Sequence, residues 1–249
     1  AGITVNTYGT NSEQGLHSAF DFPTRYRVIQ ALAKEEGGKE AAVGTEAEAL
    51  AEGLATHESY PEWAHPNLFF DNHDTARLGA LINESAGHNN NYWKRHKAAF
   101  SFMAAYSGPI TTYYGSEWGD SRGGVGTGIY DGARTDGKID GLTTEEEDLR
   151  QYVKKIMNIR NENSALWQEN TRNNLLANGT QYVDYKYDSA TGNKIVFALN
   201  LATNSDSFIF NVTGANTLTD EVTGENFSGS GGAFTIPMNG LEARIMTVE

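Results

Sequence analysis

Apolar positions in the first two-thirds of the chain follow two alternating patterns. Short continuous apolar runs read as buried strands, and stripes at spacings of three and four read as helices packed on them. Ser18–Phe22 is a run of the first kind, and Pro23 follows where a helix tolerates a missing N–H. Tyr26, Ile29, Leu32 and Ala33 then form a helical stripe. A second stripe, Ala47, Leu50, Ala51 and Leu54, predicts a surface helix over Thr45–Ala55 within a long insertion. Asn67–Asn72, with its Leu-Phe-Phe core, predicts another buried strand. Tyr92, His96, Ala99, Phe100 and Met103 predict a helix that Gly108-Pro109 ends, and Ile110–Tyr114 is rich in β-formers. A glycine-rich loop runs from Gly115 to Gly141. Thr144 with Glu147 then fits a capping box ahead of the stripe Leu149, Val153, Ile156 and Ile159. Strand followed by helix, three times over, predicts a parallel sheet with crossover helices.

The pattern changes near residue 165. Strand-like runs over Gln181–Tyr187, Ile195–Leu201, Ser207–Val212, Ala233–Ile236 and Leu241–Val248 are separated by the turn signals Asn178-Gly179, Thr191-Gly192-Asn193 and Gly229–Gly232. The expected organisation is an α/β part over 1–168 followed by an all-β antiparallel sandwich over 169–249.

Charge and composition narrow the function. Lys and Arg total 19 against 32 Asp and Glu, a net charge of −13, and no basic run offers a face to nucleic-acid phosphates. A neutral polar substrate is compatible with that balance. The absence of cysteine removes disulfides, thiolate metal sites and cysteine nucleophiles. No apolar run reaches the roughly 20 residues of a membrane helix. Ala1–Thr10 lacks the charged start and apolar stretch of a signal peptide.

Phe69-Phe70-Asp71-Asn72-His73-Asp74 concentrates the chemistry. A buried apolar strand ends in four polar groups, and in parallel α/β folds the carboxyl ends of strands hold the active site. Asp74 is placed to face a ligand, His73 to donate a hydrogen bond to a hydroxyl, and Arg77 to pair with a carboxylate. Spacing alone leaves a second reading equally open, in which Asp74 caps a helix and His73 belongs to a packed polar network. Trp118 and Tyr130, in the glycine-rich loop, are candidate stacking surfaces for a ligand, against a loop with no direct contact. No metal site is predicted: Asp131, Asp136 and Asp140 lack calcium-loop spacing, and His57, His65, His88 and His96 lack metal-ligand spacing.

Phe69-x-x-Asn72-His73-Asp74 resembles the end of the seventh barrel strand in the α-amylase family of glycoside hydrolases. Ser18 to Pro23 resembles that family's sixth strand, and Gly108 to Glu117 its eighth. Leu149–Leu166 resembles the last barrel helix and its exit, and Leu218 to Glu225 a loop of the C-terminal β domain. These matches fall in the family's order over nearly the whole chain. The resemblance implies the C-terminal part of a (β/α)8 TIM barrel, strands six to eight, followed by the antiparallel β domain. It also implies retaining cleavage of α-glucosidic bonds by two carboxyl groups from the ends of strands four and five. By position Asp74 becomes a third carboxylate that stabilises the transition state. His73, Asn72 and Arg77 become substrate-binding groups, Arg77 by orienting the carboxylates.

No stretch of Ala1–Ser18 resembles the regions carrying the nucleophile and acid/base, and Asp21 and Glu117 align with framework positions. The expectation is a starch- or maltooligosaccharide-acting hydrolase present as its C-terminal half and inactive without the N-terminal half, which is its expected partner. Transglycosylation or disaccharide chemistry within the family, and a non-catalytic barrel relative, are the alternatives. The chain needs no cofactor of its own; calcium is expected for the complete enzyme through residues outside it. Glucan polymers are met mainly outside the cell, so a secreted or periplasmic location is expected.

Overall fold

The computed structural model describes residues 8–33, 44–61, 63–84, 91–123, 133–168 and 171–249. A small hairpin, β1 (Gly9–Thr10) with β2 (Glu13–Gln14), precedes three parallel segments lying side by side in chain order. Phe20 bridges to Asn67 in parallel, and β3 (Leu68–Phe69) pairs in parallel with β4 (Ile110–Thr111). Backbone bonds from Asp21 N to Asn67 O (2.8 Å), Asn67 N to Ala19 O (2.8 Å) and Leu68 N to Pro109 O (3.0 Å) continue the ladder.

Helices connect these segments. α1 (Phe22–Val28) starts where the Asp21 carboxylate accepts the Thr24 N–H at 3.0 Å and Pro23 occupies the first turn; it runs on as a π-turn over Ile29–Ala33. α2 (Glu46–Ala55) is less of a surface helix than its alanine content predicts. Ala47, Ala49 and Leu50 are fully buried, against α1 and against the β part, where Ala47 N–H reaches Gly179 O. α3 (Leu78–Glu84) and α4 (Tyr92–Ala105) link the second and third segments. α5 (Thr144–Glu162) follows β4 and ends near the short α6 (Ser164–Trp167). Its capping box is Thr143 with Glu146, one residue earlier than the predicted pair: Thr143 Oγ1 accepts the Glu146 N–H at 3.2 Å and Glu146 Oε2 accepts the Thr143 N–H at 2.8 Å. Among the described residues no helix is long and apolar enough to cross a membrane.

The β part comprises β5 (Thr171–Asn178), β6 (Gln181–Tyr187), β7 (Lys194–Asn200), β8 (Asp206–Asn211), β9 (Thr217–Asp220), β10 (Asn226–Ser228), β11 (Ala233–Met238) and β12 (Ala243–Val248). Six form an antiparallel sheet in the order β10-β9-β12-β7-β6-β5, and β8 with β11 forms a two-stranded ribbon. Leu218 to Glu225, expected as a loop, is strand β9 and the turn after it. The sheet's central strand β7 is buried on both faces. Ile195, Phe197 and Leu199 of β7 join one core with Phe100, Phe102 and Met103 of α4, while Val196 and Ala198 join a second core with Phe208, Phe210 and Ile236 of the ribbon. Alternate side chains point to opposite faces of a strand, so a strand covered on both sides needs the continuous apolar run that β7 has.

Candidate active site

The chain leaving β3 turns sharply, and each side chain of the turn takes a different task. Phe70 O accepts the guanidinium N–H of fully buried Arg25 at 2.7 Å. Asp71 is buried. Its Oδ2 accepts the Leu78 N–H at 2.9 Å and its Oδ1 the Ser116 hydroxyl at 2.6 Å, tying the α3 start to the segment after β4. Burial raises its pKa above the ordinary carboxylate value. The helix-capping reading considered for Asp74 therefore belongs to Asp71. Asn72 is nearly buried and closes the turn: its Oδ1 accepts the Asp74 N–H at 2.8 Å and its own N–H reaches Thr75 Oγ1 at 3.0 Å. Its amide shapes the loop rather than being presented to solvent.

His73 and Asp74 are left facing outward, with 57% of each side chain exposed and His73 Nε2 3.2 Å from Asp74 Oδ2. Arg134 Nη2 lies 3.4 Å from Asp74 Oδ1. Two adjacent polar groups are exposed together at the carboxyl end of a parallel strand, the end at which α/β barrels carry their sites.

Arg77 differs from its expected place. It does pair with a carboxylate, that of Asp120 (3.7 Å), but it is fully buried and presents no group to a substrate. Nη1 donates to Tyr114 O at 2.5 Å and Nη2 to Thr135 Oγ1 at 3.1 Å, with the guanidinium 4.4 Å from the Tyr113 ring centre. Burial, together with the bond to Tyr114, pushes the Tyr113 hydroxyl up to about 12. Arg77 thus braces the ends of β3 and β4 against one another and does not reach solvent. Burial opposes ionisation of Asp120, but bonds from Arg122 and Thr135 outweigh it and hold the carboxyl below its ordinary pKa.

Trp118 is 4% exposed, and Lys138 Nζ and the Arg122 guanidinium stand 4.8 and 5.5 Å from its ring. The ring is packed inward and offers no stacking surface. Tyr130 and Asp131 lie outside the described residues. Asp136 and Asp140 are exposed, and among the described residues no group of three or more His, Asp or Glu side chains could hold a metal ion.

Two acids that a search for the catalytic pair would consider are committed elsewhere. Asp21 is buried, accepting from Tyr106 Oη at 2.7 Å and lying 2.8 Å from His57 Nε2. Burial works against its ionisation, yet its bonds to His57, Thr24 and Tyr106 lower its pKa overall. Glu117 Oε2 accepts the Gly115 N–H at 2.7 Å. Both are framework groups, as their sequence positions indicate. Sequence reading missed Asp120, Arg134 and Thr135. The only local signal was the Asp120-Ser121-Arg122 spacing, which permits the bidentate pair that forms there.

The chain matches the family model for the α-amylase catalytic domain over residues 3–207. It is 22% identical over 241 residues to a β/α-amylase of Paenibacillus polymyxa, covering 93% of this chain and 18% of that protein. The crystal structure of AmyP in complex with maltose superposes with a TM-score of 0.84 at 36% identity, over 96% of this chain and 51% of AmyP. An α-amylase from Geobacillus thermoleovorans complexed with acarbose shares the fold at a TM-score of 0.77 and 20% identity, over 95% of this chain and 49% of that one. The chain therefore spans about half the length of these two solved structures. The family's fold is a (β/α)8 barrel type with a β-sheet domain, in keeping with the parallel segments and six-stranded antiparallel sheet seen here. On the family match over most of its length, the chain belongs to the α-amylase family of glycoside hydrolases.

Proposed function

We propose that this chain is the C-terminal half of an α-glucan hydrolase, with residues 1–168 supplying barrel strands six to eight and residues 169–249 the β domain. Asp74 is its third carboxylate, stabilising the positive charge that develops on the sugar ring, and His73 binds a hydroxyl of the same sugar. The nucleophile and the acid/base come from the N-terminal half, which docks beside the Phe20 segment and is the chain's expected partner. The observation carrying this reading is the exposure of Asp74. Asp71, Asp120, Asp21 and Glu117 are engaged by internal bonds, whereas Asp74 and His73 face solvent together at a strand end. Phe20 and Phe22 are 43% and 38% exposed around Phe69 at the first parallel segment, as suits an edge onto which further strands pack.

Arg77 and Trp118, being buried, support the site from beneath and take no direct contact with substrate in this reading. Calcium is expected for the complete enzyme through residues outside this chain, and no step here depends on it. An extracellular or periplasmic location suits a polymeric glucan substrate.

Reducing-sugar release from soluble starch, by this chain and by the protein including its N-terminal half, tests the assignment. Activity is expected only when both halves are present. Release by this chain alone would mean that the catalytic pair lies within it.

A further inference from the structure

We propose that Arg134 is a positioning residue for Asp74, delivered to that carboxylate by a clasp built around Thr135. The inference rests on the proposed role of Asp74 and adds the group that holds it in place.

Thr135 is fixed by three bonds. Its Oγ1 accepts from Arg77 Nη2 at 3.1 Å and donates to Asp120 Oδ2 at 2.6 Å, and its carbonyl accepts the Tyr114 hydroxyl at 2.6 Å. The residues on either side are held as well: Ala133 is buried, and the Asp136 carbonyl accepts from Arg122. The clasp is anchored deeply, because Asp120 is buried and receives both Arg122 Nε and Nη2 at 2.9 Å. Arg134 therefore projects from a backbone pinned on both sides. Its Nη2 meets Asp74 Oδ1 at 3.4 Å while His73 Nε2 meets the other oxygen at 3.2 Å. Each oxygen of Asp74 thus faces a different nitrogen, which sets the plane of the carboxylate.

An exposed ion pair at this distance is weak in water, where solvent screens it and ordering two side chains costs entropy. The clasp reduces that entropic cost by fixing the backbone beforehand. A sugar ring seated on Asp74 displaces water, and the lower local dielectric strengthens the pair in the substrate complex. Because Asp74 acts on charge that develops in the transition state, loss of its orientation falls on kcat more than on KM.

The test is a double-mutant cycle in the protein including its N-terminal half, with maltoheptaose as substrate. R134A is expected to lower kcat about tenfold or more with KM changed less than about threefold, and R134K to recover part of the loss. T135V, which removes the two Oγ1 bonds of the clasp, should reproduce part of the same loss. In a D74N background R134A should change kcat by less than about twofold, since its partner is already gone. R134A within about twofold of wild type while D74N is strongly impaired would overturn the inference and leave the reading of Asp74 standing. Losses that multiply in the double variant would also overturn it. Near-normal activity of D74N itself would remove the role of Asp74, a separable failure.

Discussion

Lys186 of β6 and Arg160 of α5 both donate to the Leu166 carbonyl, at 2.7 and 3.3 Å, although they come from the β part and the helical part respectively. Lys186 also caps Ala105 O at 2.6 Å, and Arg160 caps the carbonyls of Ala104, Tyr106 and Gly108 at 2.8, 2.6 and 2.6 Å. The last carbonyls of α4 have no partner within their own helix and carry the negative end of its dipole, so two buried cations satisfy both needs. Burial nevertheless lowers the Arg160 pKa to about 10.

Replacing Lys186 with Met keeps the side-chain volume but leaves Ala105 O without its charged donor. A buried hydrogen bond to a charged group contributes on the order of 2 kcal/mol. K186M is therefore expected to lower the melting temperature of the complete protein by roughly 2–4 °C. Calorimetry checks it, and a variant melting within about a degree of wild type would show that the Lys186 bonds add nothing measurable to the joint between the two parts.

His96 gives an acid-stability prediction. Its ring is fully buried against Tyr92 and Trp93, neither ring nitrogen has a hydrogen-bond partner among the described residues, and burial lowers its pKa from 6.5 to about 3. The unfolded chain takes up a proton below pH 6.5 and the folded chain does not. The stability gained by keeping this ring neutral is thus complete above 6.5 and is lost as pH falls from 6.5 towards 3, by at most about 1.4 kcal/mol per pH unit. H96F removes this contribution without breaking a hydrogen bond. Melting curves at pH 7.5, 6, 5 and 4 should show the variant losing less stability than wild type over the acid range. Parallel curves would mean that His96 titrates normally.

Much of the arrangement was readable from local pattern, and the exceptions have physical causes. The stripe of α5 and the strand ending in Asp71-Asn72-His73-Asp74 stand out because burial of one face imposes its own spacing. The α5 cap was displaced by one residue because Thr143/Glu146 and Thr144/Glu147 satisfy the same spacing. Only the extended backbone at Thr143 (ψ 170°) decides between them. α3 gave no signal: it has seven residues, and its cap is Asp71, seven positions upstream of Leu78. β5 was missed because an edge strand of sequence Thr-Arg-Asn-Asn-Leu-Leu-Ala-Asn, with a register shift between Asn174 and Leu176, carries no alternation.

At the site, the exposed pair His73 and Asp74 followed from its motif, whereas the task of Arg77 did not. Arg77 contacts Asp120 and Thr135, 43 and 58 positions away, and nothing within three residues of it reveals that the loop returns there. Arg134 was invisible for the same reason, its partner Asp74 lying 60 positions earlier. Trp118 looked like a stacking surface because its loop is polar and glycine-rich, but Lys138 and Arg122 lie beside its ring and packing buries it.

The most direct test of the account is the kcat of D74N on maltoheptaose, measured in the protein including its N-terminal half. Asp74 is exposed and its side chain takes part in no buried bond, so the variant should keep its wild-type melting temperature. Its kcat should fall on the order of 10²-fold or more, the usual consequence of removing a charge aimed at the transition state. A folded variant that hydrolyses within about tenfold of wild type would contradict the placement of Asp74 at the centre of the site.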